Sequence, residues 1–146
     1  LTTTVLDLPA VVAQGLEHEP ENTRLRFAGG DMFEGPLPLG ADCVSFIRVL
    51  HDHDDERVQR VLKNAFEALK PGGRIIVAEP MAQTSGAESI GHAYFGLYLW
   101  SLGSGRPRTS AELTKFLDEA GFQQVGERKS HMPCLVRIIV GYKPNP

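Results

Sequence analysis

The chain has 146 residues, of which 42% are hydrophobic, enough for one domain with one packed core. Its 18 acidic and 15 basic residues leave a formal charge of -3, which supplies no basic face for nucleic acid. The 23% charged fraction and scattered aromatics exclude a disordered chain.

Cys43 and Cys134 lie in apolar, strand-like runs. They are expected to be small core residues in a reducing compartment, so the expected localisation is cytoplasmic. The longest weakly polar stretch, from Ile90 to Gly103, contains His92 and several glycines. It is shorter than the ~20 residues a membrane-spanning helix needs, and no signal peptide is visible. The sequence opens on Leu1 in what already reads as a strand, so the chain is expected to be part of a longer protein.

Strand and helix periods alternate along the chain in the order β-α-β-β-α-β-α-α-β-β, which predicts an α/β layered sheet. Thr2–Leu6 is β-branched and ends at Asp7, and Pro9 then opens a short helix to about Gln14. Arg24–Ala28 alternates and stops at Gly29-Gly30. Ala41–Leu50 is mostly apolar, as expected of a strand buried on both faces. From about Asp55 to Leu69, Val58, Val61, Leu62, Ala65, Phe66 and Leu69 form one apolar stripe, the clearest helix in the chain. Asp54 is its expected N-cap, and Lys70-Pro71-Gly72-Gly73 its end. Arg74–Ala78 is the next buried strand. Thr109-Ser110-Ala111-Glu112 is a capping box for a helix that stops at Gly121. Two strands near Gln124–Lys129 and Leu135–Tyr142 close the chain as a candidate antiparallel pair.

Ligands of open α/β sheets bind at the carboxyl ends of the strands, so the residues there are the candidates for chemistry. Asp7 ends the first strand, where an acid either accepts ribose hydroxyls or simply caps a loop. Asp31-Met32-Phe33 follow the Gly29-Gly30 turn. A carboxylate there suits an exocyclic amine and the two apolar side chains a purine, although an ordinary turn tucked under the sheet has the same pattern.

His51 ends the third strand and Glu79 the fourth; as parallel neighbours those ends would lie about 4.8 Å apart. A carboxylate at one imidazole nitrogen fixes the tautomer and frees the other nitrogen to take a proton, with a histidine pKa of about 6.5 suited to neutral pH. The alternative is a capping histidine beside a solvated glutamate. The run His51-Asp52-His53-Asp54-Asp55-Glu56 has metal-ligand residue types, but Asp54 to Glu56 are better explained as a helix start, so no metal is expected. Ile90–Leu102, with Tyr94, Phe95, Tyr98, Leu99 and Trp100, either walls an apolar pocket or packs in a core or subunit interface. Arg106 and Arg108 flank Pro107 and read as a solvated turn.

Taken together, these features resemble the small-molecule O-methyltransferase family of class I, Rossmann-like fold. The matching pieces are Leu6-Asp7-Leu8-Pro9, Gly30-Asp31-Met32-Phe33, Leu50-His51-Asp52, Lys70-Pro71-Gly72-Gly73, Glu79-Pro80, Arg108-Thr109 and Ala120-Gly121-Phe122. The narrower likeness is to bacterial carotenoid O-methyltransferases. It rests on Leu50–Asp55, on Ala78-Glu79-Pro80-Met81-Ala82 and on Gly103–Thr109.

The resemblance implies a mostly parallel sheet with an antiparallel C-terminal strand pair, belonging to the C-terminal part of a catalytic domain. The family's first strand and glycine-rich loop have no counterpart in these residues, and the chain by itself is expected to be inactive. S-adenosylmethionine is the implied cofactor, with Asp7 on its ribose and Asp31, Met32 and Phe33 around its adenine. His51 is the implied base, oriented by Glu79, and Met81, Phe95, Tyr98 and Leu99 the implied acceptor contacts. The implied acceptor is a hydroxyl on an apolar small molecule, either a hydroxylated carotenoid or a phenolic or polyketide compound. A homodimer of the full-length protein and a peripheral membrane contact are implied partners, with no nucleic acid. A different class of reading is a non-catalytic binding or dimerisation module. Two departures stand out: Pro107 occupies the place of a second family glutamate, and Ile47 that of a lysine.

Overall fold

The computed structural model describes residues 1–18 and 24–146. Its elements follow the expected order: β1 (Thr3–Asp7), α1 (Pro9–His18), β2 (Leu25–Gly29), β3 (Ala41–Ile47), α2 (Asp55–Ala68), β4 (Leu69–Glu79), α3 (Phe95–Leu102), α4 (Ser110–Glu119), β5 (Gln123–Arg128) and β6 (Arg137–Tyr142). β1 and β2 pair in parallel as one small sheet, and the second sheet has the order β3-β4-β6-β5. In it β3 and β4 are parallel, while β6 runs antiparallel to both β4 and β5. The antiparallel end of the sheet thus involves β4 as well as the two final strands.

The apolar stripe of α2 does what its period requires. Val58, Val61, Leu62 and Ala65 are fully buried, packed in one core with Ile75 and Val77 of β4, Leu113 and Leu117 of α4, and Ile139 of β6. Truncating a leucine such as Leu62 to alanine at such a site costs about 2–5 kcal/mol. α2 ends at Ala68 rather than Leu69, because Leu69 turns into extended backbone and already pairs with Ala41. β4 therefore begins at Leu69, earlier than the Arg74 expected from its apolar run.

β3 departs from expectation. Val44 and Phe46 face the core, but Cys43, Ser45 and Ile47 alternate with them and are exposed. β4, flanked by β3 and β6, is the buried central strand; β3 is covered on one face only. Cys43 is accordingly not a core residue, and Cys134 is only half-buried.

The C-terminal segment is stitched to the start of β4 and the end of α2. Gly72 N–H donates to the Lys143 carbonyl (3.0 Å) and Lys143 N–H to that of Gly73 (2.8 Å). The Lys143 ammonium donates to the carbonyls of Phe66 and Leu69, both at 2.7 Å. It lies 4.8 Å from the Phe66 ring centre. A cation here satisfies carbonyls that a helix end leaves open and faces the negative end of its dipole.

Candidate active site

The carboxyl ends of the parallel strands carry the candidate residues, and two contacts tie the loop after β2 to α2 and to the loop after β3. Asn64 of α2 donates to the Met32 carbonyl (2.9 Å), and the rings of Phe33 and His53 meet edge to face at 4.8 Å. His51 does not end β3 as expected. β3 stops at Ile47, Arg48 takes a left-handed backbone (φ 56°), and Leu50–Asp52 form one 3-10 turn.

That turn is seated on Glu79, the last residue of β4. Glu79 Oε1 accepts the backbone N–H groups of Val49 (2.9 Å) and Leu50 (2.8 Å), and Oε2 pairs with His51 Nδ1. His51 is 5% exposed and Glu79 2%. A carboxylate so buried is tolerable only because each oxygen has donors. A second carboxylate lies on the other side of the ring: Asp52 Oδ1 is 3.3 Å from His51 Nε2, buried, and out of line for a hydrogen bond. The imidazole therefore sits between two carboxylates, although Pro107 stands where the resemblance led one to expect the second.

Asp7 and Asp31 are both exposed at the carboxyl ends of β1 and β2. Asp7 Oδ1 accepts the N–H of Leu8 (2.7 Å), and Asp31 Oδ1 that of Phe33 (2.8 Å). Beside Asp31 opens a cleft of about 380 Å³ lined by Leu6, Gly29, Gly30, Asp31, Glu34 and Pro36 among others. Glycines on such a wall let a ligand approach the main chain closely. Phe33 is placed in the core rather than on this cleft, its ring covered by Arg57 (4.3 Å to the ring centre) and His53. Met32 is half-buried against the same core.

The acceptor candidates divide. Met81 is in the main core, and Leu99 is 1% exposed. Phe95 is buried with its ring 6.0 Å from that of His51, which puts it beside the imidazole. Tyr98 faces outward, as do Tyr94, Leu97 and Trp100. The aromatic helix is thus split between a buried side at His51 and an exposed side.

Two features escaped the sequence. Arg48, exposed at the end of β3, lies 5.5 Å from the Phe95 ring centre, a cation at the rim next to the missing lysine. Arg108, expected in a solvated turn, is 2% exposed. It donates to the carbonyls of Leu50 (2.8 Å) and His53 (2.6 Å) and to Asp55 Oδ1 (2.8 Å). Burial works to raise the Asp55 pKa, but hydrogen bonds from Arg106 and Arg108 outweigh it and hold the carboxyl below its ordinary value. His53 is held low, first by burial of its ring and then by Arg57. Asp54 is likewise engaged with a protein group, its Oδ1 accepting Gly105 N–H (3.1 Å) instead of capping α2. Among the described residues, no three His, Cys, Asp or Glu side chains converge as metal ligands, and no helix is long and apolar enough to cross a membrane.

Comparison with known proteins gives this geometry its family. Residues 1–123 match the model of the O-methyltransferase domain. Demethylspheroidene O-methyltransferase of Rhodobacter capsulatus is 35% identical over 139 residues, covering 95% of this chain and 35% of that protein. 3-Hydroxy-5-methyl-1-naphthoate 3-O-methyltransferase of Streptomyces sahachiroi is 30% identical over 146 residues, covering 98% and 42%. The crystal structure of human N-acetylserotonin methyltransferase in complex with SAM superposes with a TM-score of 0.85 at 28% identity, covering 99% of this chain and 41% of that one. The chain thus spans well under half the length of these relatives. By its sequence and its fold alike, the chain belongs to the O-methyltransferase domain family.

Proposed function

We propose that this chain carries the base and part of the cofactor site of an S-adenosylmethionine-dependent O-methyltransferase. The observation that carries the reading is the His51–Glu79 pair. Glu79 holds Nδ1, which leaves Nε2 as the nitrogen that accepts the proton of an acceptor hydroxyl. Glu79 orients the ring from one side and Asp52 lies on the other, an arrangement fixed before reaction begins. S-adenosylmethionine, when bound, supplies an electrophilic sulfonium methyl. The exposed Asp7 and Asp31 suit the ribose hydroxyls and the adenine amine, and the open cleft beside Asp31 gives a nucleoside room. Phe33 and Met32 support that loop from below rather than stacking on the base. Arg48, next to the position where family members often carry a lysine, offers a cation at the same rim. Much of the rate is expected from holding oxygen and methyl at near-attack distance.

The acceptor proposed is a hydroxyl of an apolar molecule, a hydroxylated carotenoid being favoured by the likeness to the demethylspheroidene enzyme. A phenolic or polyketide acceptor is the second reading, favoured by the naphthoate-methylating relative. Phe95, beside the imidazole, is the acceptor contact either would meet. His51→Ala in the complete protein is expected to lower turnover by about 10²–10⁴-fold while S-adenosylmethionine affinity, measured by calorimetry, stays within about twofold. Equal loss of turnover and affinity would make His51 structural and overturn the reading.

A further inference from the structure

Residues 104–108 form a strap across the His51 turn, and its bonds to that turn end on main-chain carbonyls. Ser104 Oγ donates to the Asp52 carbonyl (3.0 Å), Arg106 N–H to that of His51 (3.0 Å), and Arg108 to those of Leu50 and His53 (2.8 and 2.6 Å). Leu50 and His53 bracket His51 in sequence, so one rigid guanidinium fixes both ends of the turn that presents the imidazole. The strap lies so close that a Cβ added at Gly105 would meet the His51 carbonyl at 2.2 Å, and Gly105 takes φ +81°. Glycine is the residue that tolerates both conditions.

A buried guanidinium is costly unless its donors are matched. Arg108 is matched by Asp55 and the two carbonyls, and it lies 5.9 Å from the Phe116 ring centre. Asp55 is itself held from a second direction by Arg106, at 2.9 and 3.1 Å. Lysine could not reproduce this planar set of bonds.

We propose that Arg108 is a positioning residue for methyl transfer: it locks the Leu50–His53 turn so that the His51 imidazole stays against Glu79, without touching acceptor or cofactor. The proposal rests on the reading of His51 as the base. A positioning residue that acts through His51 has nothing left to position once the imidazole is gone, so its effect must be non-additive with loss of that residue.

The test is a cycle of Arg108→Lys, His51→Ala and the double variant in the complete protein. Turnover is assayed with methyl-labelled S-adenosylmethionine and a hydroxylated carotenoid in detergent micelles, with a hydroxynaphthoate as second acceptor. Arg108→Lys is expected to lower kcat by about 10- to 100-fold, the scale of a small misplacement, with KM for S-adenosylmethionine within about twofold and no further loss in the His51→Ala background. Asp55→Asn, at a partly exposed carboxylate, is expected to give a smaller loss with the same non-additivity, and it carries the test if Arg108→Lys does not fold. An unchanged kcat, or a loss as large without His51 as with it, overturns the proposal for Arg108. Full turnover by His51→Ala alone overturns the base reading instead.

Discussion

Glu79 does three tasks with two oxygens: it accepts the Val49 and Leu50 N–H groups at Oε1 and pairs with His51 at Oε2. In Glu79→Gln an amide that keeps its oxygen toward the backbone turns its NH2 toward the ring, where it can donate only to an unprotonated Nδ1; the charge is lost and the ring proton is moved to Nε2. With hydrogen bonds to a buried charge contributing about 1.5–3 kcal/mol, the substitution is expected to lower stability by roughly 2–3 kcal/mol. Urea denaturation would read this loss, and turnover is expected to fall alongside it. A variant as stable as the parent would mean that the carboxylate is not holding the turn. At this scale the sequence was informative where chemistry is unusual. His51 and Glu79 were visible as a pair, because β3 and β4 run parallel, although His51 sits on the turn after β3 rather than at its end. Asp52 was not visible as a second carboxylate on the ring, nor Arg108 as a buried clamp. Both depend on the 3-10 turn after Ile47, which begins in a left-handed Arg48 that no local pattern announces.

Helix termini concentrate the charged networks. The α4 capping box forms as its sequence predicts, with Thr109 Oγ1 accepting Glu112 N–H (3.2 Å) and Glu112 Oε2 accepting Thr109 N–H (2.8 Å). That backbone bond first, then the bonds from the Thr109 hydroxyl and Arg106, hold Glu112 below its ordinary pKa against burial. Asp55 at the start of α2 is low for the reasons given above, and Glu127 of β5 is low chiefly through Arg137. Folded pKa values below the unfolded ones mean that protons favour the unfolded chain. The stabilisation from these three groups is therefore complete at neutral pH and is lost as pH falls through the ordinary carboxylate range of about 4 and below. His53 adds an earlier step of the same sign, beginning below its ordinary 6.5. Thermal melting temperature is expected to decline gently from about pH 6.5 and steeply below about pH 4, and His53→Gln is expected to lack the first decline. A flat profile from pH 7 to pH 3 would contradict the network. Asp54 illustrates why capping was only half legible: residue type and position suit an N-cap, but its carboxylate has been taken by Gly105 from the strap.

Across the whole molecule, stability is unevenly distributed. β4 has partners on both edges and α2 packed over it, whereas among the described residues β1 pairs only with β2 and α1 buries only Val12. Amide exchange is expected to be faster in Thr3–Asp7 and Leu25–Gly29 than in Ile75–Ala78 and Ile138–Gly141, since local opening follows contact density. Equal protection in both sheets would mean that the two sheets open as one unit. Element order was fully legible, because strand and helix periods differ, and the class of fold followed from it. Burial of β3 was not, because an apolar run cannot report whether a second layer covers its far face. The lysine at position 143 carries one last implication, for protein engineering. A tidy C-terminal cut after Tyr142 would look harmless, yet it would strip the final turn of α2 of the ammonium that binds its open carbonyls. The loosened end would belong to the very helix whose other end anchors Arg108.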